Sequence, residues 1–206
     1  MAATKRLKLP LRILLVDRQP ELVEAWTEAF SGIEEVSALR ADFFAEDADC
    51  MLSPANSFGI MDGGLDLAIR AELGLEVEAR VQKEIVSRFH GECPVGSAVL
   101  VETGHDRWPY LVAAPTMRVP EAVPHSTHAY LAFRAALLVI AEHNRTAKDR
   151  TIRSLLCPGL CTGVGQMSPR RTAGQMRAAY VNLSKPARIP SFDEIHRVHL
   201  ALRTAG

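Results

Sequence analysis

The sequence predicts an α/β protein, a three-layer α/β/α sandwich around a mixed, largely parallel central sheet. Two observations predict it. Short, apolar, strand-like runs alternate with helical stretches along the chain, as strands covered on both faces do. Two of those runs also feed glycine-containing loops, 53–66 and 158–165. Ligand loops take that place in such sheets, at the carboxyl ends of strands. With 206 residues, 48% of them hydrophobic, the chain can build one domain with a sizeable core.

The elements follow in order. Arg12-Ile13-Leu14-Leu15-Val16-Asp17 reads as a buried strand. Pro20 stands where a helix begins, Leu22, Val23, Trp26 and Phe30 recur at helical spacing, and Gly32 closes the run. Val36 to Leu39 is a second, weaker strand and Asp49 to Leu52 a third. Leu65 to Leu73 is helical, Gly74 interrupts it, and Val77, Val81, Ile85 and Phe89 continue a helical stripe to Gly91. Ser97 to Glu102 and Tyr110 to Pro115 read as strands around a turn at Gly104. Tyr130 to His143 is a strongly apolar helix and Ile152 to Cys157 another strand. A helix from about Arg171 to Leu183 follows the second glycine-rich loop, and Phe192 to Arg203 forms a short amphipathic helix after Pro186 and Pro190. The opening Ile13–Asp17 strand with Pro20-Glu21-Leu22 is similar to the start of a response-regulator receiver. Arg18-Gln19 stand where a receiver needs its acidic residue, so a generic strand feeding a helix is the better description.

Composition narrows the function classes. Lys plus Arg and Asp plus Glu both number 24, which argues against a nucleic-acid partner. Two local basic groups, Lys5-Arg6-Lys8 and Arg170, Arg171 and Arg177, read as solvated surface. No apolar run is long enough for a membrane span, and the opening Met-Ala-Ala-Thr-Lys-Arg-Leu-Lys has no long apolar region. Four cysteines, Cys50, Cys93, Cys157 and Cys161, then read as reduced thiols, and the cytoplasm is the expected location.

The first loop runs Ser53-Pro54-Ala55-Asn56-Ser57-Phe58-Gly59-Ile60-Met61-Asp62-Gly63-Gly64-Leu65-Asp66. A strand feeding a Gly-rich loop that opens a helix makes an anion cradle, because backbone N–H groups point outward and the helix N-terminus adds partial positive charge. The second loop, Pro158-Gly159-Leu160-Cys161-Thr162-Gly163-Val164-Gly165, is placed to meet it. Facing loops of this kind suit a diphosphate, which carries two charges and many acceptor oxygens. Gly63, Gly64, Gly163 and Gly165 would let the backbone come close. Each could instead serve a turn or a cap.

Together the loops resemble those of the macro domain, the fold that binds ADP-ribose. In that family the first loop reads roughly Asn-Ala-Ala-Asn, six residues, then Gly-Gly-Gly-Val. Here it is Ser53-Pro54-Ala55-Asn56, then Ser57 to Asp62 with Gly63-Gly64-Leu65. The family's second loop, Ser-Thr-Gly-Ile followed by an aromatic and Gly, is matched by Cys161-Thr162-Gly163-Val164-Gly165. The resemblance covers about residues 42–180, within a single domain spanning 1–206. A strand-helix-strand at 12–40 precedes it and a C-terminal helix at 191–204 follows.

The resemblance implies residue roles. Asn56 would hold the distal ribose, for which its amide donors and acceptor are suited; the alternative is a turn-forming Asn. Asp66 matches the Asp of Gly-Gly-Val-Asp in the ADP-ribosyl hydrolase branch, which positions or activates water. The helix dipole alone would also favour an acid there. Asp42, before Phe43, resembles the Asp of Gly-Asp-Ile that accepts from the adenine amine, with Ala41 in place of Gly. Phe43 or Phe44 would flank the adenine or pack in the core. Ser57, Gly63, Gly64, Leu65, Thr162, Gly163, Val164 and Gly165 complete the expected ligand contacts. Gly165 replaces the usual aromatic, a place that Met167 could take. Ser53 replaces the first Asn, and Asp62 puts a charge where the family has Gly.

Other chemistries score poorly. Cys157-x3-Cys161 lacks a second pair for a zinc site, and His196 and His199 lack a third ligand. No His is tied locally to Cys161, and no Gly-x-Ser-x-Gly elbow is present. The expectation is ADP-ribose binding with hydrolysis of an ADP-ribosyl linkage, without cofactor or metal. Its alternative is a reader that binds ADP-ribose, or ADP-ribosylated proteins, without turnover.

Overall fold

A computed structural model describes residues 7, 9–10, 12–147 and 150–204. The Lys5-Arg6-Lys8 group lies outside the described residues. Six strands form one sheet: β1 (Arg12–Asp17), β2 (Val36–Arg40), β3 (Cys50–Ser53), β4 (Val99–Glu102), β5 (Tyr110–Ala113) and β6 (Ser154–Cys157). The strand order is β2-β1-β6-β3-β5-β4. All neighbours pair parallel except β4, which runs antiparallel to β5 at one edge. The mixed, largely parallel sheet is the one the sequence predicts.

The helices among the described residues are α1 (Pro20–Ala29), α2 (Gly64–Leu73), α3 (Glu76–Phe89), α4 (His128–Thr146), α5 (Pro169–Leu183) and α6 (Phe192–Thr204), the last lying against α5 rather than the sheet. The strand period of two divides the core. Ile13, Leu15, Leu52, Val112, Leu155 and Cys157 pack with the apolar stripes of α1, α4 and α5. Leu14, Val16, Met51, Leu111 and Leu156 turn the other way, onto α2 and α3. Those two cores and the sheet between them are the three layers.

Local chemistry sets the boundaries. Pro20 opens α1, where its missing N–H is harmless. Ser168 caps α5 by accepting from Arg171 N, and Pro169 follows it. Gly74 separates α2 from α3 at a φ of 93°, which an L side chain rarely adopts. A single turn of 3-10 helix at Phe43–Ala45, capped by Asp42, has no counterpart in the sequence periodicity.

Five parallel strands deliver their following loops to one edge of the sheet. Residues 53–63, 114–127 and 158–168 therefore converge there, with the ends of β1 and β2 beside them.

Candidate functional site

The first loop leaves β3 at Ser53 and enters α2 at Gly64. The segment after β5 braces it. Ala114 N donates to Ser53 O at 3.1 Å, Thr116 N to Ala55 O at 2.9 Å and Ser57 N to Arg118 O at 3.1 Å. The Arg118 guanidinium forms a two-pronged ion pair with Glu92 at 2.7 and 3.0 Å and lies 5.2 Å from the Phe58 ring centroid. Farther along, Glu78 Oε1 accepts from Met61 N at 2.9 Å while its Oε2 meets Arg70 Nη1 at 2.6 Å. Both contacts hold the Glu78 carboxyl below the usual range, the backbone bond more than the arginine.

At the end of this loop α2 has Gly63 at its N-cap and no side-chain cap. Its first amides are donors that no side chain of the helix satisfies, as an anion site needs. Gly64 has a φ of 55°, and a Cβ on Gly63 or Gly64 would point into open space.

Asp66 lies one turn in. It is 9% exposed, and Ser53 Oγ donates to its Oδ1 at 2.6 Å. Burial raises its pKa to about 6; the Ser53 hydrogen bond pulls down, and the charges of Asp62 and Glu78 push up again. Ser53 was expected only as a departure from the family pattern. It proves to be the hydroxyl that orients the acid. Thirteen residues separate the two, a distance no local spacing rule bridges.

Asn56 is engaged by its own loop. Its Oδ1 accepts from Phe58 N at 3.0 Å and Ile60 N at 3.3 Å, and its Nδ2 donates to Ile60 O at 2.7 Å. One Nδ2–H stays outside those bonds. Ser57 is buried, and its Oγ has no hydrogen-bond partner among the described residues.

The second loop follows β6, the neighbour of β3. It is tightly wound: Gln166 N donates to Gly163 O at 3.0 Å and Met167 N to Cys161 O at 2.8 Å. Cys161 and Gln166 both have positive φ, 63° and 53°. A Cβ on Gly165 would stand 2.5 Å from Cys161 O, so close backbone approach requires a glycine there. Gly163 faces open space, Thr162 is half-buried, and Val164, 59% exposed, is the apolar side chain the loop presents. Met167, at the end of the loop, is buried in the core.

Asp42 stands past the end of β2 and beside the end of β1, where Ala41 N donates to Asp17 O at 3.2 Å. Its Oδ1 accepts from Phe44 N at 2.8 Å, and Arg18 pairs with the other oxygen. Both contacts lower its pKa, the backbone bond most. Phe43 is core, beside Leu14 and Met51, while Phe44 is half-buried with its ring edge-on to Trp108. The structure thus brings Asn56, Asp66 and both glycine pairs to one sheet edge, with Asp42 beside the end of β1. The side chains of Phe43, Ser57 and Met167 it buries.

Burial pushes the Cys161 thiol up to about 12, so it is protonated at neutral pH. Among the described residues no three His, Cys, Asp or Glu side chains gather as a metal site would need. Surface depressions beside Val23 and Thr27 of α1 and Ser31 after it, and beside Ile33 and Val36, lie at the β2 edge, away from both loops.

The family model described as Macro domain matches residues 52–176, which holds both loops and more than half of the chain. This chain belongs to the macro domain family. An uncharacterized protein of Aquifex aeolicus is 30% identical over 74% of this chain and 84% of its own length. Another, from Aeropyrum pernix, is 27% identical over 76% and 75%. Among solved structures, the macrodomain of Mycobacterium tuberculosis DarG has a TM-score of 0.57 at 21% identity, over 73% of this chain and 95% of that one. The Oceanobacillus iheyensis macrodomain with ADP has a TM-score of 0.54 at 17% identity, over 68% and 72%. These likenesses carry the fold. In the second loop of this macro domain Val164 is the exposed apolar side chain, and the position after it is a glycine packed against Cys161 O.

Proposed function

We propose that this macro domain binds ADP-ribose or a derivative of it and hydrolyses an ADP-ribosyl linkage. The substrate would be a modified protein side chain or a related small molecule. The observation that carries the reading is Asp66, buried, oriented by Ser53 and set directly behind the uncapped glycine start of α2. An anion held by those amides lies within one helical turn of a carboxyl tuned to about 6. That value suits a group that is ionised at neutral pH yet still able to take a proton.

In this reading the two loops hold the diphosphate and Asn56 offers its remaining Nδ2–H to the distal ribose. Asp66 orients water at the anomeric carbon. The water oxygen bonds to that carbon as the linkage breaks; one water proton passes to Asp66, the leaving group takes a proton from solvent, and Asp66 returns its own to solvent. Asp42, past the carboxyl end of β2 and beside that of β1, suits the adenine of an elongated ligand. Four buried free cysteines support a reducing compartment such as the cytoplasm, and no helix among the described residues is long and apolar enough to cross a membrane.

A reader without turnover is the second reading. It is favoured by Asn56, whose oxygen and one N–H already serve the loop. Asp66→Ala separates the two. For the enzyme, release of ADP-ribose from modified proteins is lost while ADP-ribose binding in calorimetry stays within a few fold. A wild type that binds ADP-ribose but releases none from any tested linkage is the reader. The ligand itself is tested with Gly64→Glu, which places an acid at the cradle in open space and should abolish ADP-ribose binding. Unchanged binding would remove the central claim.

A further inference from the structure

Among the described residues, the buried polar side chain with the most hydrogen bonds lies outside both loops. Gln175, on α5, is fully buried. Its Nε2 donates to Ser126 O at 2.7 Å and to Leu202 O at 2.8 Å, and its Oε1 accepts from Tyr130 N at 3.1 Å. A primary amide has two N–H groups, and here both are used, on carbonyls from two different parts of the chain. One side chain thus ties together α5, the start of α4, the segment before α4 and the end of α6.

Two of those ties, to Ser126 and to Leu202, lead toward the second loop. Ser126 belongs to the 123–127 segment, whose Val123 N donates to Gly165 O at 2.8 Å. Ser126 N and Oγ both return to Val123 O, at 3.2 and 2.8 Å, so the segment is a closed turn. Gly165 in turn lies against Cys161 O with no room for a Cβ. The other end of the chain of contacts is α6. Leu202 is its one buried residue, and Arg203 Nε donates to His125 O at 3.1 Å. Along the rest of α6, Phe192, Ile195, Val198 and Leu200 are exposed. The helix is therefore held mainly by its last turn, on the same short segment that reaches Gly165.

We infer that α6, latched through Gln175, positions the second glycine-rich loop and so sets ligand affinity from outside the binding cleft. Gln175 is a positioning residue, touching no ligand itself. The inference rests on the diphosphate role given to that loop under Proposed function. Helix α6 lies beyond residues 52–176, so this latch adds to what the family match covers. The physical reason is that a buried carbonyl deprived of its donor must find another partner, and the turn at 123–127 can do so only by shifting.

Two variants and two readouts test it. Gln175→Met removes the three hydrogen bonds while keeping an unbranched side chain of similar length. Leu202→Ala with Arg203→Ala releases α6 and leaves Gln175 in place. In amide hydrogen exchange, without ligand, both should speed exchange at Val123, Gln166 and Met167 by about tenfold, with β3 and β5 amides unchanged. In calorimetry both should raise the ADP-ribose Kd by about tenfold. If the wild type turns over, KM should rise while kcat holds. Unchanged exchange at those three amides, or a uniform increase across the sheet, would overturn the latch. A faster loop with unaltered ADP-ribose affinity would overturn its role in binding. Failure of the wild type to bind ADP-ribose counts against the proposed function and the affinity claim. The exchange result alone then decides whether α6 positions the loop.

Discussion

Asp66 shows most directly how one buried carboxyl links fold to function. Burial raises its pKa to about 6, from 3.8 for an unhindered Asp. The folded state therefore holds this proton more tightly than the unfolded chain. Below about pH 4 both states are protonated and Asp66 contributes no penalty. As pH rises toward 6 the unfolded chain ionises first, so stability falls, and above 6 a constant cost remains, about 3 kcal/mol by linkage. Asp66→Asn should thus be more stable than the wild type at pH 8 by up to that amount, with the difference vanishing near pH 4. Urea denaturation at the two pH values measures it, and a gain independent of pH would refute the assignment. If Asp66 is the base, turnover in the wild type should rise through about pH 6, and Asp66→Asn should abolish it. Such a group is destabilising where it stands, as functional groups often are. The sequence displayed Asp66 through its place after Gly63-Gly64, a local signal. It could not display Ser53 as its partner, Arg18 as the partner of Asp42, or the closure of Asn56 on Phe58 and Ile60. Those depend on where β3, β1 and the loop come to rest in space.

At the scale of elements, strands and helices were legible because burial on two faces and amphipathic spacing are local patterns. The expected runs and the observed elements differ mostly by a residue or two at their ends, as at Val99 for Ser97 and His128 for Tyr130. The single-turn helix at Phe43 was not legible, since three residues carry no period. Within the second loop, two glycines two residues apart look alike in sequence and differ in structure. Gly163 faces open space without positive φ, whereas Gly165 is pressed against Cys161 O. Gly163→Ala should then leave the melting temperature within about 1 °C, as a surface change with no clash, yet weaken ADP-ribose binding, because its methyl group would occupy the phosphate side. Gly165→Ala forces the turn open, disturbing the bonds from Val123 N and Met167 N. A loss of about 2 kcal/mol, or roughly 5 °C, is expected. Thermal melts beside calorimetry check both. Equal melting temperatures for the two variants would contradict the close approach at Gly165.

At the scale of the whole molecule, the match at residues 52–176 invites the thought that the first forty residues are an appendage to the domain. The sheet order contradicts it. β1 lies inside the sheet, bonded to β2 on one side and β6 on the other. Ile13, Leu14, Leu15 and Val16 are at most 1% exposed, two feeding each core. Helix α1 adds Leu22 and Trp26, also fully buried. Each such side chain contributes roughly 1.5–3 kcal/mol when buried, so the four from β1 alone amount to roughly 6–12 kcal/mol. A domain's entire stability is about 5–15 kcal/mol. Removing residues 1–41 would also bare the parallel edge of β6, the strand that carries the second loop, and open a ready site for aggregation. The fragment 42–206 should therefore fail to fold, giving no cooperative melt and no dispersed amide spectrum. ADP-ribose should not rescue it, since the ligand loops have no rigid edge to stand on. A soluble fragment that melts cooperatively would show instead that β3, β5 and β6 suffice as a sheet. The two cores meeting on β1 make that outcome the harder one to reconcile with the packing.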